Sequence, residues 1–404
     1  MTPFASRRLS RARRSAWSWF PREWRPPRRA RRFLLTDAPP EGPAARAAAT
    51  SLGEDVTPGV ARVLSAGAVR EAALASRFTL VGFARPEPVD PAPLQAWLAS
   101  GQAAGMEWMH RRVPERLDPA LVLPGVRTVM ALGIPYRRPS TERSRIASYA
   151  RGRDYHYAHR DRMRELRRRL LVLDAEVETY ACVDTGVAME KVWAERAGLG
   201  WIGKNGLLIN PRLGSWLTLS VMYLDRAVDA YDSPQADACG DCTRCLRACP
   251  TGAFPSPGVV DARLCLSYQS IENKGVVPEP LRRKFVGRVF GCDVCQDVCP
   301  FNRGDIPVGD RRFEPRPLSA LSAAEMASLT ESEFKALSAG MAVARATYDG
   351  LRRNALFSIG AQRDSSARAV VEKLCGDPSA MVSDAAEWAL ARLPAGSPAA
   401  KAPP

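Results

Sequence analysis

Seven cysteines stand in two runs that obey one spacing rule. Cys239, Cys242, Cys245 and Cys249 read C-x2-C-x2-C-x3-C and run into Pro250. Cys292, Cys295 and Cys299 repeat the end of that pattern, C-x2-C-x3-C, and run into Pro300. Gaps this short leave room only for tight loops, so the backbone here must wrap around whatever the thiols hold. A disulfide framework belongs to short secreted chains, and this chain has 404 residues. A zinc site needs four ligands from two C-x2-C knuckles and explains neither the third cysteine nor the proline repeat. Two [4Fe–4S] clusters do explain them, because in such paired runs the fourth cysteine of each run ligates the other cluster. The second run is one thiolate short, and Cys265 lies between the runs to supply it. The crossed rule gives Cys239, Cys242, Cys245 and Cys299 to one cluster. Cys249, Cys265, Cys292 and Cys295 go to the other. Cys182 and Cys375 read as small buried apolar residues.

A cluster pair is an electron relay, which makes the chain an electron-transfer protein or enzyme. The hydrophobic share of 46 % is ample for ordinary cores, and the length predicts two to three domains. No long uninterrupted apolar run exists, so no membrane span is expected. Thiolate-bound clusters suit a reducing cytoplasm.

The net charge of +15 is unevenly spread. Residues 1–32 hold eleven arginines and one acid, Glu23, so that stretch alone carries +10 and leaves +5 for the rest. Such a segment cannot build a core, and residues 1–60 are expected to be a basic disordered arm and linker. Arg7-Arg8 has no apolar stretch behind it, which argues against a twin-arginine export signal.

Residues 61–232 alternate predicted helices and strands: helix over 61–76, strand over 78–84, strand over 127–135, helix over 160–174, strand over 176–184, helix over 187–197 and strand over 216–224. That alternation indicates an α/β (α+β) domain. The 160–174 helix carries Arg160, Arg162, Arg164, Arg167, Arg168 and Arg169, read as a solvated face or a phosphate contact. A ferredoxin-like two-[4Fe–4S] domain is expected over 233–305, and an α-helical domain resembling HEAT repeats over 306–404. Only one or two helix pairs fit there, a cap or docking surface rather than a long solenoid.

Within the α/β segment, Val183-Asp184-Thr185-Gly186 stands at a strand end, where catalytic side chains collect. Gly198-Leu199-Gly200-Trp201-Ile202-Gly203 follows the next helix. It matches neither a dinucleotide fingerprint nor a phosphate-binding loop. It reads either as a helix-ending loop or as close backbone approach to a bulky ligand, with Lys204 and Asn205 as polar contacts.

The ordered set VDTGVAMEKVWAERAGLGWIGKNG, the eight cysteines and DARLCLSYQSIENKG resembles the epoxyqueuosine reductase family over roughly residues 70–395. That resemblance implies a cobalamin-binding catalytic domain over 61–232, fed with electrons by the cluster domain. The helical tail would help to hold tRNA. The implied reaction removes the epoxide oxygen of epoxyqueuosine at the tRNA wobble position, the last step of queuosine biosynthesis. Asp184 would be the proton donor, with its carboxyl raised by desolvation so that it keeps a proton near neutral pH. Cobalamin contacts implied by the family pattern are Tyr149, Arg151, Asp154, His156, Asp184, Lys204, Asn205, Ser215 and Leu217. Ser267, Gln269, Asp293 and Val294 would bring a cluster close to the corrin, and Lys274 sits at a tRNA-associated position. His156 reads as a hydrogen-bonding residue rather than an axial cobalt ligand. Val187 departs from the proline usual after the VDTG glycine. Partners implied are tRNA bearing epoxyqueuosine in its anticodon loop and a low-potential electron donor. The chain is expected to be a monomer with no membrane contact. Two other readings fit the cysteines: a cobalamin-dependent reductase of a small molecule, dehalogenase-like, and a two-cluster electron carrier without an active site.

Overall fold

The computed structural model describes residues 63–138, 144–304 and 309–394. The basic stretch of residues 1–60 lies outside the described residues. The sheet follows from four apolar runs: β1 (Leu80–Ala84), β2 (Thr128–Pro135), β3 (Thr179–Cys182) and β6 (Leu217–Leu224), in the order β1-β2-β6-β3. β2 pairs with β6 along its whole length, from Thr128 opposite Leu224 to Pro135 opposite Leu217. Every β2 residue is buried. The period-two alternation of a strand explains how. Met130, Leu132 and Ile134 face one core with helices Ala66–Ala75 and Tyr155–Leu173, while Val129 and Ala131 face another with Trp193.

All three pairings are antiparallel. The helix–strand alternation in the sequence would equally have suited parallel crossovers; the pairing makes this a mixed α+β sheet domain instead. A second, two-stranded ribbon, β4 (Trp201–Ile202) with β5 (Leu208–Ile209), was not foreseen. Part of the glycine stretch serves that ribbon. A side chain at Gly200, at φ 155°, would strike the Ile209 carbonyl at 2.1 Å. Gly200 therefore lets the chain entering β4 lie against β5, and Gly203 opens the turn between them, where its N–H donates to the Leu207 carbonyl at 2.9 Å.

The basic helix is not one solvated face. Arg162 is buried, donates to the Arg77 carbonyl at 2.6 Å and pairs with Asp310. His159 beneath it is wholly buried between Ser220 Oγ at 2.7 Å and Thr218 Oγ1 at 2.9 Å. Burial, with Arg162 nearby, pushes it down to about 3, so it is a neutral core residue.

Residues 323–390 form five helices, as the alanine-rich composition predicts: Ala323–Ser328, Glu331–Ser338, Tyr348–Gln362, Arg368–Leu374 and Ala380–Leu390. Capping boxes start the first two, Ser322 with Glu325 and Thr330 with Glu333, each satisfying two orphan backbone donors. The helix Tyr348–Gln362 is buried from Gly350 to Gly360. Its Arg353 Nη2 donates to the Gln269 carbonyl at 3.0 Å, and Asn354 Nδ2 to those of Ser270 at 2.8 Å and Val289 at 2.9 Å. Leu266, Ile271, Phe285 and Phe290 of the cysteine segment share one core with Leu351, Leu356 and Val382. Among the described residues no helix is long and apolar enough to cross a membrane.

Candidate functional site

Cys239, Cys242, Cys245 and Cys299 line one cavity of about 250 Å³, together with Lys204, Asn205 and Phe301. The first three thiols sit around the short helix Arg244–Ala248, and Cys299 caps the 3-10 turn Pro300–Asn302. Pro300 suits that turn because its fixed φ is preset for the first helical position and no N–H is lost. A second set forms beside it. Burial raises Cys295, and the neighbouring Cys292, Cys265 and, from the first set, Cys245 raise it further. Cys265 in turn feels Cys249. Cys239, Cys242, Cys245 and Cys299 thus stand at one cavity, and Cys265, Cys292 and Cys295 stand near one another, with Cys249 beside Cys265.

The thiols are prepared as ligands. Ala253 N–H donates to Cys249 Sγ at 3.3 Å and Trp201 Nε1 to Cys239 Sγ at 3.4 Å. Backbone N–H groups of Ser267 and Tyr268 act on Cys265, that of Val294 on Cys292, and those of Phe301 and Asn302 on Cys299. Such bonds favour thiolates, which burial opposes: it pushes Cys292 up to about 11. These thiols need positive charge to ionise, which cluster iron provides. Among the described residues no three His, Cys, Asp or Glu side chains converge on a point where one ion would sit.

The thiol sets are tied to the sheet by a buried amide network. Ser215 N–H donates to Asn302 Oδ1 at 2.7 Å; its Oγ accepts from Asn302 Nδ2 at 2.8 Å and Gln296 Nε2 at 3.1 Å. Ser215 is therefore fully engaged in holding the cysteine loop. Leu217, two residues on, starts β6.

Asp184 ends the turn after β3 in the left-handed region, at φ 53°, a conformation that strains a non-glycine residue. Glu190, opening the helix Glu190–Arg196, accepts its N–H at 2.7 Å and so holds the turn. Asp184 Oδ2 lies 3.2 Å from Arg345 Nη1 and 3.4 Å from His156 Nε2. His156 Nδ1 meets Asp154 Oδ1 at 2.7 Å, and Arg345 Nε meets Glu272 Oε1 at 2.7 Å.

The electrostatics correct one expectation. Burial does push the Asp184 carboxyl up, but the His156 contact, Arg345 and Tyr155 together outweigh it and hold the carboxyl at about 2. The side chain keeps 44 % of its surface exposed. The resting group is a carboxylate, not a stored acid. The proton sits next door: burial lowers His156, yet Asp154 and Asp184 overcome that and raise it to about 9. Glu190, desolvated and beside Asp184, is pushed up to about 7.

The residues tied to the cofactor by sequence fall into two groups. Tyr149, Asp154, His156 and Asp184 stand together with Tyr155, whose ring centroid is 6.0 Å from that of Tyr149. Asp293 joins them by accepting the Ser148 N–H at 2.7 Å, and Arg151 Nε donates to the Ile146 carbonyl at 2.9 Å alongside. Lys204 and Asn205 stand instead at the first cysteine cavity, where Lys204 Nζ donates to the Gly240 carbonyl. Gln269 is buried, donates to the Arg263 carbonyl at 2.6 Å and faces the helical tail. Lys274 Nζ donates to the Ile271 carbonyl at 2.5 Å and to that of Arg345. Sequence reasoning missed Arg345 and Trp108 at this site, which no local pattern marks, and gave no role to Glu272, which lies within DARLCLSYQSIENKG.

A four-stranded sheet carrying a charged carboxylate turn, bound to two four-thiol sets, defines an iron–sulfur redox protein. Comparison agrees: residues 238–302 match the 4Fe-4S double cluster binding domain, and residues 116–185 match the model described as Epoxyqueuosine reductase QueG, DUF1730. The epoxyqueuosine reductase of Gloeobacter violaceus is 42 % identical over 320 residues, 76 % of this chain and 99 % of the relative. That of Pseudomonas aeruginosa is 39 % identical, over 74 % and 86 % of the two chains. A crystal structure of epoxyqueuosine reductase with an epoxyqueuosine-modified tRNA-Tyr stem loop superposes with a TM-score of 0.75 at 29 % identity, covering 80 % of this chain and 88 % of that one. The chain belongs to the epoxyqueuosine reductase family and is an oxidoreductase.

Proposed function

We propose that the chain reduces epoxyqueuosine to queuosine at the wobble position of tRNA, using two [4Fe–4S] clusters and cobalamin. The observation that carries this reading is Asp184, held by Glu190, His156 and Arg345, while Asp293, between Cys292 and Cys295, holds the backbone beside Tyr149. Family membership favours it over a small-molecule reductase, and a built carboxylate site favours it over a plain carrier. Cys239, Cys242, Cys245 and Cys299 would hold the outer cluster at the open cavity, where a low-potential donor delivers electrons. Cys249, Cys265, Cys292 and Cys295 would hold the inner one.

The residues fit a corrin in kind. Tyr149 and Tyr155 give apolar walls, and His156 Nε2 is a buried atom facing Asp184 Oδ2 at 3.4 Å. Its opposite nitrogen is engaged by Asp154, consistent with a hydrogen-bonding role and not an axial one. When bound, cobalamin would supply low-valent cobalt as the electron source at the substrate carbon. The chain's residues handle the rest. The epoxide loses both C–O bonds, a C=C bond forms, and the oxygen leaves as water, which consumes two electrons and two protons. His156, charged at neutral pH, first passes a proton to the Asp184 carboxylate across the 3.4 Å contact, and Asp184 hands it to the departing oxygen; the second proton comes from solvent by the same route. Glu190 holds the turn in place.

The division into 61–232, 233–305 and 306–404, the HEAT-like character of the tail, a monomeric state and a cytoplasmic location belong to the same proposal. The related reductase solved with an epoxyqueuosine-modified tRNA stem loop supports tRNA as the substrate class. Anaerobically reconstituted protein should convert an epoxyqueuosine stem loop to a nucleoside lighter by one oxygen. Protein loaded with iron and corrin that leaves the nucleoside unchanged would refute the assignment.

A further inference from the structure

Trp108 sits in a 3-10 turn, Glu107–Met109, that buries none of its own residues. Its side chain is 39 % exposed. An indole is the costliest side chain to leave in water, and this one is rigidly mounted. Buried Arg116 donates to the Trp108 carbonyl at 2.9 Å and to that of Arg111 at 3.3 Å. The preceding loop is pinned where Gly105 N–H donates to Tyr268 Oη at 2.8 Å, three residues past Cys265. The guanidinium of Arg345 lies 5.9 Å from the indole centroid. Its Nη1 is the atom 3.2 Å from Asp184 Oδ2. Arg345 therefore links the partly exposed indole to the reacting carboxylate, touching each in turn.

From this link we infer that Trp108 stacks on the wobble nucleobase and, with Arg345 at its edge, delivers the modified base to Asp184. The inference rests on the tRNA reading above. Single-stranded bases are gripped by exposed aromatic faces and by arginine planes rather than by groove contacts. A nucleotide whose chemistry occurs in a pocket must leave its stack, and the lost stacking has to be replaced by a protein ring. Arg345 is already neutralised by Glu272 and Asp184, so it orients the base plane more than it attracts phosphate. Trp108 is a binding residue here; it touches no proton in transit.

The test uses holoenzyme, loaded with both clusters and cobalamin, and two anticodon stem-loop RNAs, one with epoxyqueuosine and one abasic at the wobble position. Trp108→Ala should weaken binding of the modified RNA about tenfold or more, the size of one base–aromatic stack, and leave the abasic RNA unaffected. KM should rise more than kcat falls. Trp108→Phe, which keeps a ring, should restore most of the affinity and guards against a folding defect. Equal losses for both RNAs, or none for either, would overturn the inference. A wild-type holoenzyme that binds the modified RNA and removes no oxygen would instead overturn the functional reading and leave the stacking result standing.

Discussion

Asp184 and Arg345 lie 161 residues apart in the chain, yet a carboxylate oxygen of one is 3.2 Å from a guanidinium nitrogen of the other. The contact joins the sheet domain's reacting turn to the helical tail, at the 3-10 turn Ala342–Ala346 ahead of the helix Tyr348–Gln362. His156 flanks the same oxygen at 3.4 Å. A carboxylate held by two cations rests ionised, so its proton must arrive through a neighbour, and His156 is the neighbour that carries one.

Asp184→Asn keeps the shape of the side chain and removes the proton path. Turnover should fall at least about a hundredfold, the lower end for loss of a general acid. Iron and corrin content should match wild type. Turnover within a few-fold of wild type would remove Asp184 from the proton path.

Arg345→Met should lower kcat about tenfold or more, because Asp184 loses its alignment, with both clusters retained. Arg345→Lys keeps the charge but cannot reach Glu272 and Asp184 through separate nitrogens, so it should recover only part of the rate. Full recovery by lysine would mean that charge alone matters.

Glu190 carries its proton more firmly in the folded state, about 7 against an ordinary 4.5. Between these values the folded chain binds more protons than the unfolded one, so this group's contribution to stability declines as pH rises through the window. Glu190→Gln still accepts the Asp184 N–H and does not titrate. Its melting temperature should vary less than wild type between those pH values; parallel curves would show that Glu190 is not the group responsible.

Cys265→Ala removes one ligand of the second thiol set. Iron should drop by about half and the first cluster's optical and paramagnetic signals should survive, as the four-thiol requirement implies. An unchanged iron content would exclude Cys265 as a ligand.

Affinity for tRNA should fall steeply with salt, since each phosphate contact releases condensed counterions. Titrations at two ionic strengths decide this, and a flat response would rule out a phosphate-led interface.

The cluster ligands were legible because their rule is local. A cubane needs four thiolates within a few ångströms; one tight loop at C-x2-C-x2-C spacing can deliver three, and a distant run supplies the fourth. The strands of the central sheet were legible for a similar reason: Thr128–Pro135 and Leu217–Leu224 are apolar runs of strand length. The VDTG turn and the segment around His156 were visible as motifs.

What the fold alone decided is everything that depends on distant segments meeting. The antiparallel order β1-β2-β6-β3 is not written in any one strand. The ties from Ser215 to Asn302 and Gln296, which join the cysteine loop to the sheet, are visible only in the fold. The ionised state of Asp184 depends on Arg345, whose neighbours in sequence give no sign of it. Short-range spacing determines which atoms can share a cluster. Long-range packing determines which charges share a site, and charge is what sets where the proton waits.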